Sequence, residues 1–117
     1  MKLLVVDDDT DVLAILQETL NAAGFCVTPA PSGEAAMDQV GAAAPDVLVT
    51  DLDLGSGMNG LELAAEVRHR WPSLPIVYIS GRGRLLEGHP LGRREMFLPK
   101  PFHSRDLVAG VHAVAEA

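Results

Sequence analysis

Five short apolar runs alternate with longer segments of helical spacing along this chain, and few folds accommodate that alternation. The runs cover residues 3–6, 25–28, 47–50, 76–79 and 96–99. They are nearly continuous in apolar residues, whereas a strand with one solvated face alternates apolar and polar side chains. Short right-handed connections between such strands favour a parallel sheet with helices on both faces. The sequence therefore predicts an α/β fold with a doubly wound, five-stranded parallel sheet.

The segments between the runs predict four regular helices and one irregular segment. Helices are expected over residues 11–23, from Ser32 to before Pro45, over residues 61–70 and over residues 104–116. The first of these should pack an inner stripe against the sheet and end at Gly24; the stripe comprises Val12, Leu13, Leu16, Leu20 and Ala23. Residues 82–94 contain three glycines and a proline, so the fourth helix should be short or distorted.

Bulk composition limits the class of protein. The 117 residues predict one domain, 1–117, and a hydrophobic content of 48% predicts a packed core. No apolar run approaches the ~20 residues of a membrane span, and the N-terminus enters a strand without room for a signal peptide, so a soluble cytoplasmic protein is expected. The net charge of −7 argues against nucleic-acid binding. The single cysteine, Cys26, is expected to be a small buried side chain.

Polar residues follow four of the five runs. Asp7 and Asp8 follow the first run, Asp51 the third, Ser80 the fourth and Lys100 the fifth. Parallel α/β sheets bind ligands outside the carboxyl ends of their strands. We therefore expect these five residues to converge on one site.

The residue types at these strand ends suit phosphoryl chemistry. Clustered carboxylates repel one another, so the arrangement either raises their pKa values or holds a hard cation such as Mg²⁺, which also binds phosphate oxygens. An aspartate can itself be the nucleophile and form an acyl phosphate. Asp51, alone after the central run, is the expected nucleophile. Lys100 would supply a positive charge to the phosphoryl oxygens and Ser80 a hydroxyl donor.

This set of residues resembles the receiver domain of two-component response regulators, over the whole chain. The matching motifs are the acid pair after VV, the acceptor in VLVTD, the hydroxyl in IVYIS and the lysine in FLPKPF. The resemblance implies a flavodoxin-like sheet of strand order 2-1-3-4-5, the order for which the chemotaxis receiver is a known example. It also implies a signalling phosphoacceptor rather than an enzyme.

The resemblance assigns roles around the acceptor. It implies that Asp8 and Asp51 bind Mg²⁺ together with the backbone carbonyl of Asp53, while Asp7 supports the metal, partly through water. Asp51 would receive the phosphoryl group from a sensor histidine kinase or a histidine phosphotransfer protein. The downstream protein is not indicated by the sequence.

The resemblance also implies a switch. A phosphoryl oxygen would attract Ser80, and Phe97 would move into the space that Ser80 leaves. The alternative is that Phe97 is a plain core aromatic. A cis peptide bond is implied between Lys100 and Pro101, and Asp53 and Arg82 occupy positions where receivers tune dephosphorylation.

The loop after Asp51 departs from the family pattern. It reads LDLGSGMNG, with Gly55 where a proline is common and one residue more before Gly60. This should loosen the loop beside the metal. The Ala-Gly-Ala turn usual before the lysine motif is also missing, consistent with an irregular fourth helix.

Two other functions remain open from the sequence. In a haloacid dehalogenase-type phosphatase, Asp7 in the run Asp7-Asp8-Asp9 would be the nucleophile. In a receiver-like scaffold, partners would bind without phosphorylation. Eight of the nine basic residues lie between Arg68 and Arg105, which is consistent with a partner-facing surface or with ordinary solvated charge.

Overall fold

The computed structural model describes residues 1–41 and 43–117, which form a central sheet with helices on both faces. The strands are β1 (Lys2–Val6), β2 (Cys26–Ala30), β3 (Val47–Asp51), β4 (Ile76–Ser80) and β5 (Glu95–Pro99). The α-helices are α1 (Thr10–Ala22), α2 (Gly33–Val40), α3 (Gly60–Arg70) and α4 (Ser104–Glu116), and a 3₁₀ turn spans Gly83–Leu86.

All neighbouring strands are parallel, in the order β2-β1-β3-β4-β5. Every residue of β3 and β4 is buried, because these central strands are covered on both faces. The predicted fold class and strand order are therefore confirmed. None of the helices in the described parts of the chain is long and apolar enough to span a membrane.

Two hydrophobic clusters, one on each face of the sheet, form the core. One contains Leu16 of α1 and Leu107 of α4, and the other contains Ala36 of α2 and Leu63 of α3. Successive residues of one strand contribute to opposite clusters, as Val47 and Leu48 do. The near-continuous apolar runs therefore supply both cores.

Side-chain caps determine where three helices begin. The Asp9 side chain accepts hydrogen bonds from the backbone N–H groups of Asp11 and Val12, and the Ser32 hydroxyl oxygen accepts one from the N–H of Ala35. Asn59 and Glu62 form a reciprocal capping box at the start of α3. The caps at Asp9 and Ser32 lie within three residues of the preceding strands, so the β1–α1 and β2–α2 connections are short.

Some predicted boundaries and burial states were wrong. Ala23 lies just beyond α1 and is exposed, and α2 ends at Val40, earlier than Pro45. Gly41 follows α2 with a positive φ of 56°, a conformation that favours glycine; residue 42, inside the predicted helix, is outside the described residues. Cys26 is exposed rather than buried, because β2 is an edge strand with only one neighbour.

The segment between β4 and β5 is irregular, as predicted. The 3₁₀ turn is its only helix-like element in the described structure. A polar network borders this segment: Tyr78 Oη donates to Glu95 Oε2 at 3.2 Å, and Arg68 Nη1 donates to Glu95 Oε1 at 2.9 Å. The backbone N–H of Gly92 also donates to Glu95 Oε1, at 3.2 Å. Glu95 therefore connects α3, β4 and the start of β5.

The buried phenol of Tyr78 predicts a loss of stability at alkaline pH. Burial raises the pKa of Tyr78 above its usual 10.0, and the Glu95 carboxylate raises it further. The folded protein then keeps a proton that the unfolded chain loses, so the free energy of unfolding should fall above pH 10, by up to ~1.4 kcal/mol per pH unit from this group. Tyr78→Phe should lower the free energy of unfolding by about 1 kcal/mol at pH 7. The variant should not show the fall above pH 10 that the phenol causes. Urea unfolding of both proteins from pH 7 upward measures it; a stability difference that does not change with pH would contradict it.

Candidate functional site

The predicted site residues lie together at the carboxyl edge of the sheet. Asp7 and Lys100 directly follow β1 and β5, while Asp51 and Ser80 are the last residues of β3 and β4. They line one open pocket of about 510 Å³. Asp8, Asp53 and Arg82 line the same pocket. The sheet order thus brings together residues that are up to 93 positions apart in sequence.

Three carboxylates are clustered in this pocket. Asp7, Asp8 and Asp51 each place one carboxylate oxygen so that all three oxygens lie within 4.8 Å of one another. Asp7 is fully buried and Asp51 is buried, while Asp8 is exposed. Oxygen ligands of an octahedral Mg²⁺ lie about 2.0–2.1 Å from the ion, and hence about 3–4 Å from one another. The cluster therefore suits one hard divalent cation with little rearrangement.

Lys100 offsets part of the negative charge of the cluster. Its Nζ lies 3.0 Å from Asp51 Oδ2 and 3.3 Å from Asp7 Oδ2. Its backbone N–H donates to the Ser80 carbonyl at 2.9 Å, and the Lys100–Pro101 peptide bond is cis. Burial alone would lower the pKa of Lys100, but the hydrogen bond to Asp51 and the charges of Asp7 and Asp51 outweigh it and raise that pKa. Lys100 is therefore held in its charged form.

Burial has the largest effect on the pKa of the Asp7 carboxyl. It raises the pKa of the Asp7 carboxyl, although the backbone N–H of Asp9 and the charge of Lys100 act in the opposite direction. The negative charge of Asp51 adds to the increase. A cation bound beside this carboxyl would favour its ionised form.

Backbone groups orient two of the three carboxylates. Asp51 Oδ1 accepts a hydrogen bond from the N–H of Asp53 at 3.0 Å, and Asp7 Oδ1 accepts one from the N–H of Asp9 at 2.9 Å. Within residues 1–41 and 43–117, Asp8 has no such bond. Its Oδ2 instead lies beside Gly55, where an added Cβ would come within 3.1 Å of that oxygen.

Ser80 and Phe97 occupy neighbouring strands. Ser80 is 2% exposed, and its Oγ accepts a hydrogen bond from the N–H of Arg82 at 2.8 Å. Phe97 is half-buried and pairs with Tyr78 in the sheet, and an added Cβ on Gly83 would come within 3.2 Å of its ring. One arrangement of these side chains is seen, so their role as a switch stays a prediction.

An exposed ion pair lies at the rim of the pocket. Arg82 Nη1 is 2.9 Å from Asp53 Oδ2, and the two side chains are 68% and 47% exposed. At that exposure the pair contributes little to stability. The pair connects the loop after β3 with Gly81 and Arg82, the two residues that follow β4.

Two features of the loop after Asp51 were not predicted. The carboxylate of Glu34, in the first turn of α2, accepts a hydrogen bond from the backbone N–H of Met58 at 3.1 Å. Gly60 packs against the backbone of Asp51 and Leu52 so closely that a Cβ would overlap the Asp51 carbonyl oxygen. Both contacts depend on the path of the loop, and no sequence pattern marks them.

The comparisons with known proteins agree with this geometry. The family model "Response regulator receiver domain" matches residues 3–112. The response regulator MprA of Mycobacterium avium is 34% identical over 117 residues, covering 97% of this chain and 50% of MprA. The DNA-binding transcriptional regulator NtrC of Klebsiella pneumoniae is 32% identical over 108 residues, covering 90% of this chain and 23% of NtrC. The chain thus spans half or less of the length of these curated relatives.

Solved structures show the same fold. A response regulator receiver protein from Sinorhizobium medicae superposes with a TM-score of 0.91 at 31% identity, covering 100% of this chain and 95% of that protein. The receiver domain of the hybrid histidine kinase CckA superposes with a TM-score of 0.80 at 26% identity, covering 98% and 99% of the two chains.

Proposed function

The chain belongs to the response regulator receiver domain family, and we propose that it accepts a phosphoryl group on Asp51 in a two-component phosphorelay. The observation that carries this proposal is the pair of contacts at Asp51. Lys100 Nζ lies 3.0 Å from one carboxylate oxygen, and the side chains of Asp7 and Asp8 supply two further oxygens within 4.8 Å. The donor would be the phosphohistidine of a sensor kinase or a phosphotransfer protein.

The proposed transfer makes one bond and breaks one. A carboxylate oxygen of Asp51 attacks phosphorus, the phosphorus–nitrogen bond of the phosphohistidine breaks, and the imidazole nitrogen keeps the electron pair. Lys100 pairs with the phosphoryl oxygens, and the Ser80 hydroxyl donates to one of them. The product is an acyl phosphate on Asp51, so the protein is a signalling phosphoacceptor that modifies itself.

The donor set suits Mg²⁺, since carboxylate and carbonyl oxygens are its preferred ligands. Asp8 and Asp51 would hold the ion with the backbone carbonyl of Asp53, and Asp7 would support it. When bound, Mg²⁺ neutralises charge on the phosphoryl oxygens. We further propose that residues 1–117 form one domain that acts in the cytoplasm, and that Ser80 and Phe97 transmit the change to a downstream protein.

The test is the intact mass of the protein after incubation with acetyl phosphate, with Mg²⁺ or with chelator. We expect a phosphoryl-sized adduct that requires Mg²⁺. Reduction with borohydride should then convert the modified aspartate to homoserine, and peptide mapping should place it at position 51. Homoserine at Asp7 would instead indicate the haloacid dehalogenase-type assignment, against which family membership argues. A folded protein without adduct at any Mg²⁺ concentration would favour the unphosphorylated scaffold.

Binding of Mg²⁺ should also stabilise the fold without any phosphoryl donor. At 100 times its Kd, a ligand that binds only the folded state raises the free energy of unfolding by ~2.7 kcal/mol. At that Mg²⁺ concentration we expect the full increase in wild type and a smaller one in Asp8→Asn, which removes one carboxylate from the cluster. Urea unfolding in MgCl₂, against NaCl of equal ionic strength, measures it. The exposed Asp11→Asn, outside the cluster, is the matched control and should respond like wild type; an equal response in Asp8→Asn would contradict the assigned ligand.

A further inference from the structure

We propose that Glu34 is a positioning residue for the proposed metal site: its carboxylate holds the loop after β3 so that Gly55 lies beside Asp8. This inference rests on the proposed function, because it concerns the same three carboxylates. It adds a residue from α2, an element that contributes no side chain to the pocket itself.

The first step is the contact between α2 and the loop. Glu34 Oε2 accepts a hydrogen bond from the N–H of Met58 at 3.1 Å, across 24 residues. The Met58 side chain lies against Gly33, where a Cβ would come within 3.0 Å of its Sδ. The bond is exposed, and an amide oxygen at the same position is also an acceptor for this N–H. The first turn of α2 therefore holds Met58 by both its backbone and its side chain.

The second step is the construction of the loop itself. Gly55 and Gly57 both have positive φ, of 74° and 86°, and Gly57 lies directly over the Glu34 carboxylate. Across residues 56–58, all of which are described, the bond to Glu34 is the one backbone hydrogen bond to a distant part of the chain. Two glycines give this stretch many alternative conformations. The Glu34 contact selects one of them.

The third step links the loop to Asp8. Asp8 is exposed and lacks a hydrogen-bond partner within the described residues, unlike Asp7 and Asp51. Its Oδ2 is adjacent to Gly55, three residues before Met58. Gly55 is also held by its own N–H, which donates to Asp53 Oδ1 at 3.2 Å. Loss of the Glu34 bond would therefore loosen the position of Gly55 beside Asp8, and Asp8 would spend less time in the cluster. The expected effect is a higher Kd for Mg²⁺, with the protein still folded.

The test compares Glu34→Ala with Glu34→Gln, which loses the charge but keeps an oxygen acceptor. The controls are Asp38→Ala, which removes an exposed acid from the same helix, and wild type. Mg²⁺ affinity is measured by calorimetry without phosphoryl donor, and amide hydrogen exchange is measured at Met58. Circular dichroism establishes that each variant is folded.

We expect Glu34→Ala to raise the Kd for Mg²⁺ by about three- to tenfold, less than the ~10–100-fold caused by losing a direct partner of a metal ligand. The Met58 amide should lose protection in the same variant. Glu34→Gln and Asp38→Ala should stay within about twofold of wild type. An unchanged Kd in Glu34→Ala, or an equal loss in Glu34→Gln, would overturn the positioning role, the second result indicating a through-space charge effect.

The outcomes separate this inference from the proposed function. If wild type binds Mg²⁺ and forms the adduct while Glu34→Ala binds equally well, only the role of Glu34 fails. If wild type itself binds no Mg²⁺ and forms no adduct, the proposed function fails and this inference fails with it.

Discussion

Asp51→Asn is expected to abolish the acetyl phosphate adduct, lowering its rate of formation by about 10⁴-fold or more, the scale on which enzymes lose rate without their nucleophile. The amide oxygen is a poor nucleophile and the amide carries no charge to hold Mg²⁺. The fold should persist, because the side-chain oxygen of asparagine can still accept from the backbone N–H of Asp53, now 3.0 Å from Asp51 Oδ1. Intact mass over time, at fixed Mg²⁺ and acetyl phosphate, measures the loss.

Asp8→Asn is the informative comparison for this variant. It keeps the nucleophile and removes one of the three clustered carboxylates. It should slow the formation of the adduct and raise the Mg²⁺ concentration at which the adduct forms. At high Mg²⁺ the product should still appear. A full-sized adduct in Asp51→Asn would show that another side chain is the acceptor.

Gly60→Ala is expected to damage both the fold and the site. A Cβ at this position would overlap the carbonyl oxygen of Asp51 and come within 2.9 Å of the Leu52 Cα. These are backbone atoms of the central strand and its end, so neither can move aside as a flexible side chain would. Overpacking of this kind typically costs about 1–3 kcal/mol. Because the clash involves Asp51 itself, the adduct should also form more slowly.

Urea unfolding and adduct formation, measured on the same preparation, test the Gly60 prediction. Gly81→Ala is the matched control for stability alone, because a Cβ there meets no atom within 4 Å and the backbone is not left-handed. A Gly60→Ala protein as stable as the Gly81→Ala protein would show that α3 can shift away from β3 without cost.

Pattern along the chain was sufficient for the parallel strands and for the polar residues that follow them. Continuous apolar runs indicated strands buried on both faces, and β3 and β4 are buried throughout. Family resemblance supplied the strand order. Given that order, the convergence of Asp7, Asp51 and Lys100 follows from their places at strand ends, because parallel strands all end at the same edge.

Pattern failed where burial depends on position in the sheet. Cys26 lies in an apolar run like those of the central strands, yet β2 is an edge strand and the side chain is exposed. The helix α2 ended before its predicted limit because Gly41 adopts a positive φ. Neither the sheet edge nor that backbone angle is encoded in the periodicity of hydrophobic residues.

The long-range contacts around the site were decided by tertiary structure alone. Glu34 meets the N–H of Met58 across 24 residues, and Arg82 meets Asp53 across 29. Each contact requires two irregular segments, or a helix and a turn, to arrive at one point. Local sequence therefore determined the strands, the caps and which polar residues follow the strands. The three-dimensional path of the loops determined how that chemistry is held, because loop paths follow from packing and from the φ angles of individual glycines rather than from a repeating pattern.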